Sequence, residues 1–234
     1  MKIVPQSATM LAMTPGPLSV IEKAGRTCYK SEDTMDCDAC HGTWFTLPGG
    51  FLCKNCNDRA EAFIRGILKR GHESVIEHAS ATFLMVTDRG MTHEIVRHRL
   101  CSYSQESTRY CNYGTNGGEI NVIQPSDIYD GTTAYQIWRA ACDGSEKAYL
   151  ELLSDGQRPE FARSVLPTCL KTEINVSANF REWRHMLKLR LNNAAGKAHP
   201  QIRLLFGQVL DQLMDSPAAV IFQDIDDARD DNQN

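Results

Sequence analysis

Two Cys-x2-Cys pairs, Cys37/Cys40 and Cys53/Cys56, separated by twelve residues, constrain this chain more than any other feature. Each pair can turn two sulfurs toward one point, and two such turns match the tetrahedral four-thiolate shell of Zn²⁺, with Zn–S bonds of roughly 2.3 Å. Between the pairs, Thr43-Trp44-Phe45-Thr46-Leu47 and Phe51-Leu52 flank Pro48-Gly49-Gly50, which reads as a short hairpin. Residues 37–56 therefore read as a small zinc ribbon inserted in a larger unit. An iron–sulfur cluster takes the same ligands, and four ordinary reduced cysteines are a third reading. A closed four-thiolate shell leaves no coordination position for substrate. The block is then structural, or a docking platform, and names no reaction.

The nine cysteines are an odd count, and Met1-Lys2-Ile3-Val4-Pro5-Gln6 lacks the apolar stretch of a secretion signal. A disulfide framework is not expected, and a soluble cytoplasmic protein is. The longest apolar run, Ala218 to Phe222, falls far short of the ~20 residues of a membrane span. With 42% hydrophobic and 23% charged residues over 234 positions, the chain is neither disordered nor coiled coil and can bury a sizeable core.

The formal charge is −4, and the segment from Asp224 to Asn234, with five Asp and one Arg, carries that much alone. It reads as a solvated, frayed end. The neutral body lacks the bulk positive field that nucleic acid demands. A zinc-ribbon nucleic-acid-binding protein is thus a distant alternative, since the block carries only Lys54, with Asp38 against it. The arginines cluster instead at Arg97/Arg99/Arg109 and Arg181/Arg184/Arg190, which suits a small anionic ligand.

Periodicity predicts helices over Arg59–Arg70, Met91–Arg99, Ala134–Leu153, Asn179–Leu191 and Gln201–Met214, with a short one opened by Pro159. Ala79–Val86 and Thr172–Ala178 read as strands, and a short strand is expected near the start. Ser102–Gly118, rich in Ser, Tyr, Asn and Gly, reads mostly as loop. Helices and strands mix without a βαβ rhythm, which is the pattern of an α+β fold.

The segment Arg97-His98-Arg99-Leu100-Cys101-Ser102-Tyr103-Ser104-Gln105-Glu106-Ser107-Thr108-Arg109-Tyr110 places three arginines, a histidine and several hydroxyls at a helix-to-loop junction. Arginine forks with hydroxyls and loop N–H groups make an anion cradle, although surface ion pairs would use the same residues. The segment resembles the signature of the flavin-dependent thymidylate synthases, an Arg-His-Arg followed by seven residues and a Ser, here Arg97-His98-Arg99 and Ser107. Five further blocks resemble that family in order. They are Arg26-Thr27-Cys28-Tyr29-Lys30, Gly71-His72-Glu73-Ser74-Val75-Ile76-Glu77-His78, Arg158-Pro159-Glu160-Phe161-Ala162-Arg163-Ser164-Val165-Leu166-Pro167, Asn179-Phe180-Arg181-Glu182-Trp183-Arg184-His185 through Arg190, and His199-Pro200-Gln201-Ile202-Arg203.

The resemblance implies the thymidylate synthase-complementing protein fold, with mixed helices around an antiparallel-rich sheet. One such domain would span residues 1–234, interrupted by the 37–56 insertion. It implies reductive methylation of dUMP to dTMP, with 5,10-methylenetetrahydrofolate as carbon donor, FAD reduced by NADPH as hydride carrier, and a homotetramer. A flavin-dependent pyrimidine nucleotide hydroxymethylase would carry much the same motifs. By carry-over, Ser74, Arg97, His98, Arg99, Gln105, Asn179, Arg181 and His185 would contact FAD. Glu94, Arg97, Gln105, Glu106, Ser107, Thr108, Arg109, Arg163 and Arg190 would hold dUMP. Arg190 is the expected catalytic residue, because a fixed guanidinium at the N3/O4 side of the uracil would stabilise charge that grows as C5 becomes nucleophilic. Ser107 is expected to bind rather than attack, and Cys101 and Cys111 to pack rather than react. The expected metal ligands are Cys37, Cys40, Cys53 and Cys56.

Overall fold

A computed structural model describes the chain except residues 36, 39–52, 116 and 232–234. Cys40 and the hairpin expected between the two cysteine pairs lie outside the described residues. In chain order the elements are β1 (Lys2–Ile3), β2 (Ser7–Met13), α1 (Pro17–Tyr29), α2 (Lys54–Lys69), β3 (Ser80–Asp88), α3 (Arg89–Ile95), β4 (Cys101–Gln105), β5 (Asn121–Val122), α4 (Thr133–Ser154), α5 (Pro159–Ala162), β6 (Lys171–Asn179), α6 (Phe180–Leu191), α7 (Pro200–Met214) and α8 (Ala219–Asp231). A 3₁₀ turn, Glu73–His78, leads into β3. No described helix is long and apolar enough to cross a membrane.

The sheet is antiparallel, in the order β2-β3-β6-β4. Its two inner strands show the period-2 burial that their sequences predict. Ala81, Phe83 and Met85 stand opposite Ala178, Val176 and Ile174, and all six are buried on one face. Helix α6 covers that face. Trp183 meets Phe83 edge-on at 5.0 Å between ring centroids, and its indole N–H donates to the Ala81 carbonyl at 3.0 Å. Ile202, Leu205, Phe206 and Val209 of α7 and Phe222 of α8 complete this core. A smaller cluster gathers Ile120, Val122, Cys142, Tyr149, Ala162 and Leu170 beneath α4.

Strand β2 is a sheet edge, where unpaired backbone groups invite unwanted pairing. Two glutamines of α7 occupy them. The Ala8 N–H donates to Gln208 Oε1 at 2.8 Å and the Met10 N–H to Gln212 Oε1 at 2.7 Å, while Gln212 Nε2 donates to the Ala8 carbonyl at 2.8 Å. Gln212→Leu removes one acceptor and one donor from this edge, and the expected cost is about 2 kcal/mol. Urea unfolding checks it; an unchanged midpoint would show that water replaces the amide.

Three expectations are corrected. Ser102–Gln105, the start of the stretch Ser102–Gly118 read mostly as loop, instead belongs to β4, which pairs with β6 from Cys101↔Ala178 to Gln105↔Ile174. Its side chains alternate between exposed and half-buried, so no apolar period marks it. The helix expected over Met91–Arg99 ends at Ile95. The acidic end does not fray as far as residue 231: α8 is helical, with Asp224 paired to Arg184, and Arg229 to Asp211 and Asp226.

Candidate active site

Helix α3 is fixed at both ends, and this sets the signature segment that follows. At its start, Asp88 Oδ1 accepts the Met91 N–H at 2.7 Å, while Oδ2 accepts from the Gln201 amide of α7. Past its end, the Tyr103 hydroxyl lies 2.7 Å from the carbonyls of both Ile95 and His98. Burial pushes the Tyr103 phenol up, so the group stays protonated, and its single O–H donates to one or the other of these helix-end carbonyls. The turn so held points His98 inward, 7% exposed, and leaves Arg97 and Arg99 exposed.

Helix α6 opens on Asn179, whose Oδ1 accepts the Glu182 N–H at 2.9 Å. Asn-x-x-Glu is a capping-box spacing, which absorbs Asn179 and Glu182 into a helix start when the sequence is read alone. From this helix Arg190 reaches back to α3. Its Nη1 donates to Glu94 Oε2 at 2.8 Å, and its Nη2 lies 3.1 Å from His98 Nε2 and 3.4 Å from the Glu94 carbonyl. Its Nε–H is buried and has no acceptor among the described residues. His98 in turn meets the His185 ring edge-on at 6.1 Å, with Glu182 Oε1 3.9 Å from its Nδ1.

Burial, reinforced by the Arg190 guanidinium and the neighbouring His185 ring, holds His98 down at about 4. The neutral imidazole can accept from Arg190, leaving the guanidinium's charge undivided. A depressed histidine stabilises the fold fully above its unfolded value near 6.5, and that contribution is lost as pH falls from there toward about 4. His98→Gln is therefore expected to flatten the loss of stability between those limits, read from urea midpoints across pH. An unchanged slope would place the titration elsewhere.

Outside this pair of helices lies a cleft of about 600 Å³, lined by Glu73, Glu77, Leu100, Asn179, Arg181, Glu182, His185 and Lys188. Arg181 donates to Glu77 at 2.6 Å. Three of the expected FAD residues, Asn179, Arg181 and His185, thus share one cleft, and His98 adjoins it through His185. Ser74 is exposed on the 3₁₀ turn that carries Glu73 and Glu77. The Arg97 and Arg99 side chains have no ion-pair partner among the described residues.

The expected dUMP residues run from Arg190 outward. Glu94 is in direct contact with it. Gln105 joins the same helix, its Nε2 donating to Thr92 Oγ1 at 3.0 Å and to Thr172 Oγ1 at 3.2 Å. Glu106 accepts from the Tyr113 hydroxyl at 2.7 Å and from Lys171 Nζ at 3.2 Å. Thr108 is buried and accepts from Arg163 at 3.2 Å. Arg109 lies further out, donating to Glu160 at 3.2 Å and lying over the Tyr110 ring. The Ser107 hydroxyl accepts the Arg109 backbone N–H at 3.3 Å. Cys101 packs against the Met186 sulfur at 3.8 Å, and burial pushes its thiol up to about 11, which keeps it un-ionised at neutral pH.

Sequence reasoning missed Thr92, Thr172, Tyr113 and Lys171, which hold the expected nucleotide residues in place, and Glu73, Glu77 and Lys188 on the cleft wall. Glu73 and Glu77, in the Gly71–His78 block, and Lys188, in the Asn179–Arg190 block, carried a signal as members of those blocks.

A guanidinium is thus clamped between a carboxylate and a neutral imidazole, beside a polar cleft whose wall sets Arg181 and Lys188 among three glutamates. The chain belongs to the thymidylate synthase complementing protein family, the flavin-dependent thymidylate synthases, and matches that family over residues 9–216. It is 35% identical over 227 residues to the flavin-dependent thymidylate synthase of Mycobacteroides abscessus, covering 90% of this chain and 80% of that one. It is 32% identical over 216 residues to the enzyme of the same name from Geobacter sulfurreducens, covering 92% and 84%. In fold it is similar to the crystal structure of PolB, a UMP/dUMP methylase from Streptomyces cacaoi bound with 5-Br dUMP. That similarity has a TM-score of 0.73 at 22% identity, covering 95% of this chain and 97% of that one.

Proposed function

We propose that this enzyme methylates dUMP reductively to dTMP, taking the carbon from 5,10-methylenetetrahydrofolate, and that it works in the cytoplasm as a homotetramer. Residues 1–234 act in this reading as one domain with the 37–56 insertion. The observation that carries the proposal is the Arg190 clamp. Its guanidinium is held by Glu94 and His98 on one side and keeps a buried N–H without an acceptor among the described residues. A donor fixed in this way is suited to charge that develops on a ligand oxygen or nitrogen, because it need not reorganise when the charge appears.

The residues fit a flavin dinucleotide. Arg181, Lys188 and His185 bring cationic and imidazole donors into one cleft, and Arg97 and Arg99, which have no ion-pair partner among the described residues, follow α3. Arginine forks suit a pyrophosphate, and the amides of Asn179 and Gln105, with Ser74, His98 and His185, suit the polar edges of a flavin. When bound, FAD reduced by NADPH supplies the hydride. The chain's own part is to bind and orient. Arg163 and Arg109, with Ser107 and Thr108, hold the nucleotide phosphate. Gln105, Glu106 and Glu94 hold its base and sugar, and Arg190 stabilises negative charge on the N3/O4 side of the uracil.

Mass spectrometry of the nucleotide after incubation with dUMP, methylenetetrahydrofolate, FAD and NADPH tests the proposal. A product one methyl heavier, lost when FAD or NADPH is withheld, is the expected result. A hydroxymethyl product would transfer the enzyme to the pyrimidine nucleotide hydroxymethylases, and unchanged dUMP would overturn the substrate.

A further inference from the structure

We propose that Cys37, Cys53 and Cys56 bind a structural zinc ion that clips the segment leaving α1 to the first turn of α2. The three sulfurs lie within 4.8 Å of one another, with Cys37 and Cys53 Sγ 3.6 Å apart. That spacing suits three vertices of a tetrahedron with bonds of roughly 2.3 Å. Cys40, the fourth cysteine of the spacing, lies outside the described residues; the other three carry the inference.

The surroundings are those of a thiolate site. Cys53 is the N-cap of α2 and Cys56 sits in its first turn, fully buried, so both sulfurs lie at the positive end of a sixteen-residue helix. Arg59, one turn further on, reaches the Cys56 sulfur and supplies positive charge beside a shell whose thiolates outnumber the charge of the metal. Arg59 is itself fixed. It donates to buried Glu22 of α1 from Nε at 2.9 Å and from Nη2 at 3.3 Å, and to the Met35 carbonyl from Nη1 at 3.0 Å. Arg26 donates to the same carboxylate at 2.8 Å. Metal, Arg59 and Glu22 form one continuous tie between α1 and α2.

That tie bears on the cleft through packing. At Gly25 of α1 an added Cβ would stand 2.6 Å from the Phe63 ring of α2 and 3.7 Å from Val75, so the two helices meet closely behind the turn that carries Glu73 and Glu77. The ion holds α1 to α2 through Cys37, Cys53, Cys56, Arg59 and Glu22, none of which is an expected flavin or nucleotide contact, which gives it a structural role rather than a catalytic one.

The test is elemental analysis of the purified full chain, beside the cobalt-substituted protein. The expected result is about one zinc per chain, with intense thiolate-to-cobalt bands of tetrahedral geometry in the substituted protein. Cys53→Ser and Cys37→Ser are expected to lower zinc to about a tenth or less and to reduce the unfolding temperature, whereas Cys28→Ser, at the exposed end of α1, leaves both unchanged. Cys37 is only half-buried, so its variant folds even where a Cys56 change does not. A metal-free protein with all nine thiols titratable, a Cys37–Cys53 disulfide, iron with sulfide, or full zinc in the Cys53 variant would each overturn the proposal.

Discussion

Arg190→Ala is expected to lower the rate of nucleotide methylation about a hundredfold or more, the usual effect of removing one preorganised donor from a developing charge. The geometry makes the effect specific to the guanidinium. Glu94 and His98 accept from two different nitrogens, at 2.8 and 3.1 Å. A lysine ammonium has no fork with which to meet both, so Arg190→Lys is expected to restore little. Stability should change by only about 1 kcal/mol, since Glu94 is partly exposed and regains water when its partner goes. A second readout separates this role from a structural one. Arg190 is among the causes that hold His98 low, so the His98 titration followed by NMR is expected to move upward in the variant. Single-turnover rates within a few-fold of the parent would remove Arg190 from the chemistry.

Asp224→Ala is expected to destabilise the fold by about 3 kcal/mol, because it strips a buried cation of its best partner. Arg184 is 2% exposed; it donates to both Asp224 oxygens, at 2.6 and 2.8 Å, and to the Ile221 carbonyl. Without Asp224 it retains Glu73 at 3.3 Å, which already serves Lys188 at 3.6 Å. Burial alone would raise the Asp224 carboxyl, but the Arg184 hydrogen bonds and charge, with Lys188, outweigh it and hold the group below its usual range. The pair therefore contributes fully above the unfolded carboxylate value and is lost as pH falls through the folded one. Urea midpoints of parent and variant should converge in acid. Replacing Arg184 by Met together with Asp224→Ala should recover part of the loss, and failure to do so would locate the stabilisation in Glu73 instead.

What could be read ahead of the structure divides along physical lines. The inner strands and the long helices announce themselves because burial on one face imposes a period: Thr172, Ile174, Val176 and Ala178 alternate, and Ile202, Leu205, Phe206 and Val209 wrap one helical side. Elements whose pattern was set by neighbours went unread. Helix α1 hides behind Pro15-Gly16-Pro17, although Pro17 occupies the first helical turn, where proline is tolerated. Strand β4 has no apolar period because it is an edge. Helix α8 was obscured by carboxylates whose cations, such as Arg184 and Arg229, come partly from elsewhere in the chain. The site shows the same division. The arginines and the capping Asn179 were visible as motifs, but the clamp joins residues 92 and 96 positions apart, and nothing local records that Arg190 meets His98 and Glu94.

The glutamine-sealed edge of β2 also sets an order of assembly. Ala8 and Met10 find these partners 200 and 202 residues downstream, so during synthesis the first long strand leaves the ribosome with nothing to close it. Its pairing with β3 can form earlier, but the outer rim stays open until α7 has been made. Contacts of such separation slow folding and lengthen the exposure of a sticky rim. A chain cut before residue 200 would carry that rim permanently and is expected to collect as aggregate, which makes α7 the fold's late-arriving chaperone in cis.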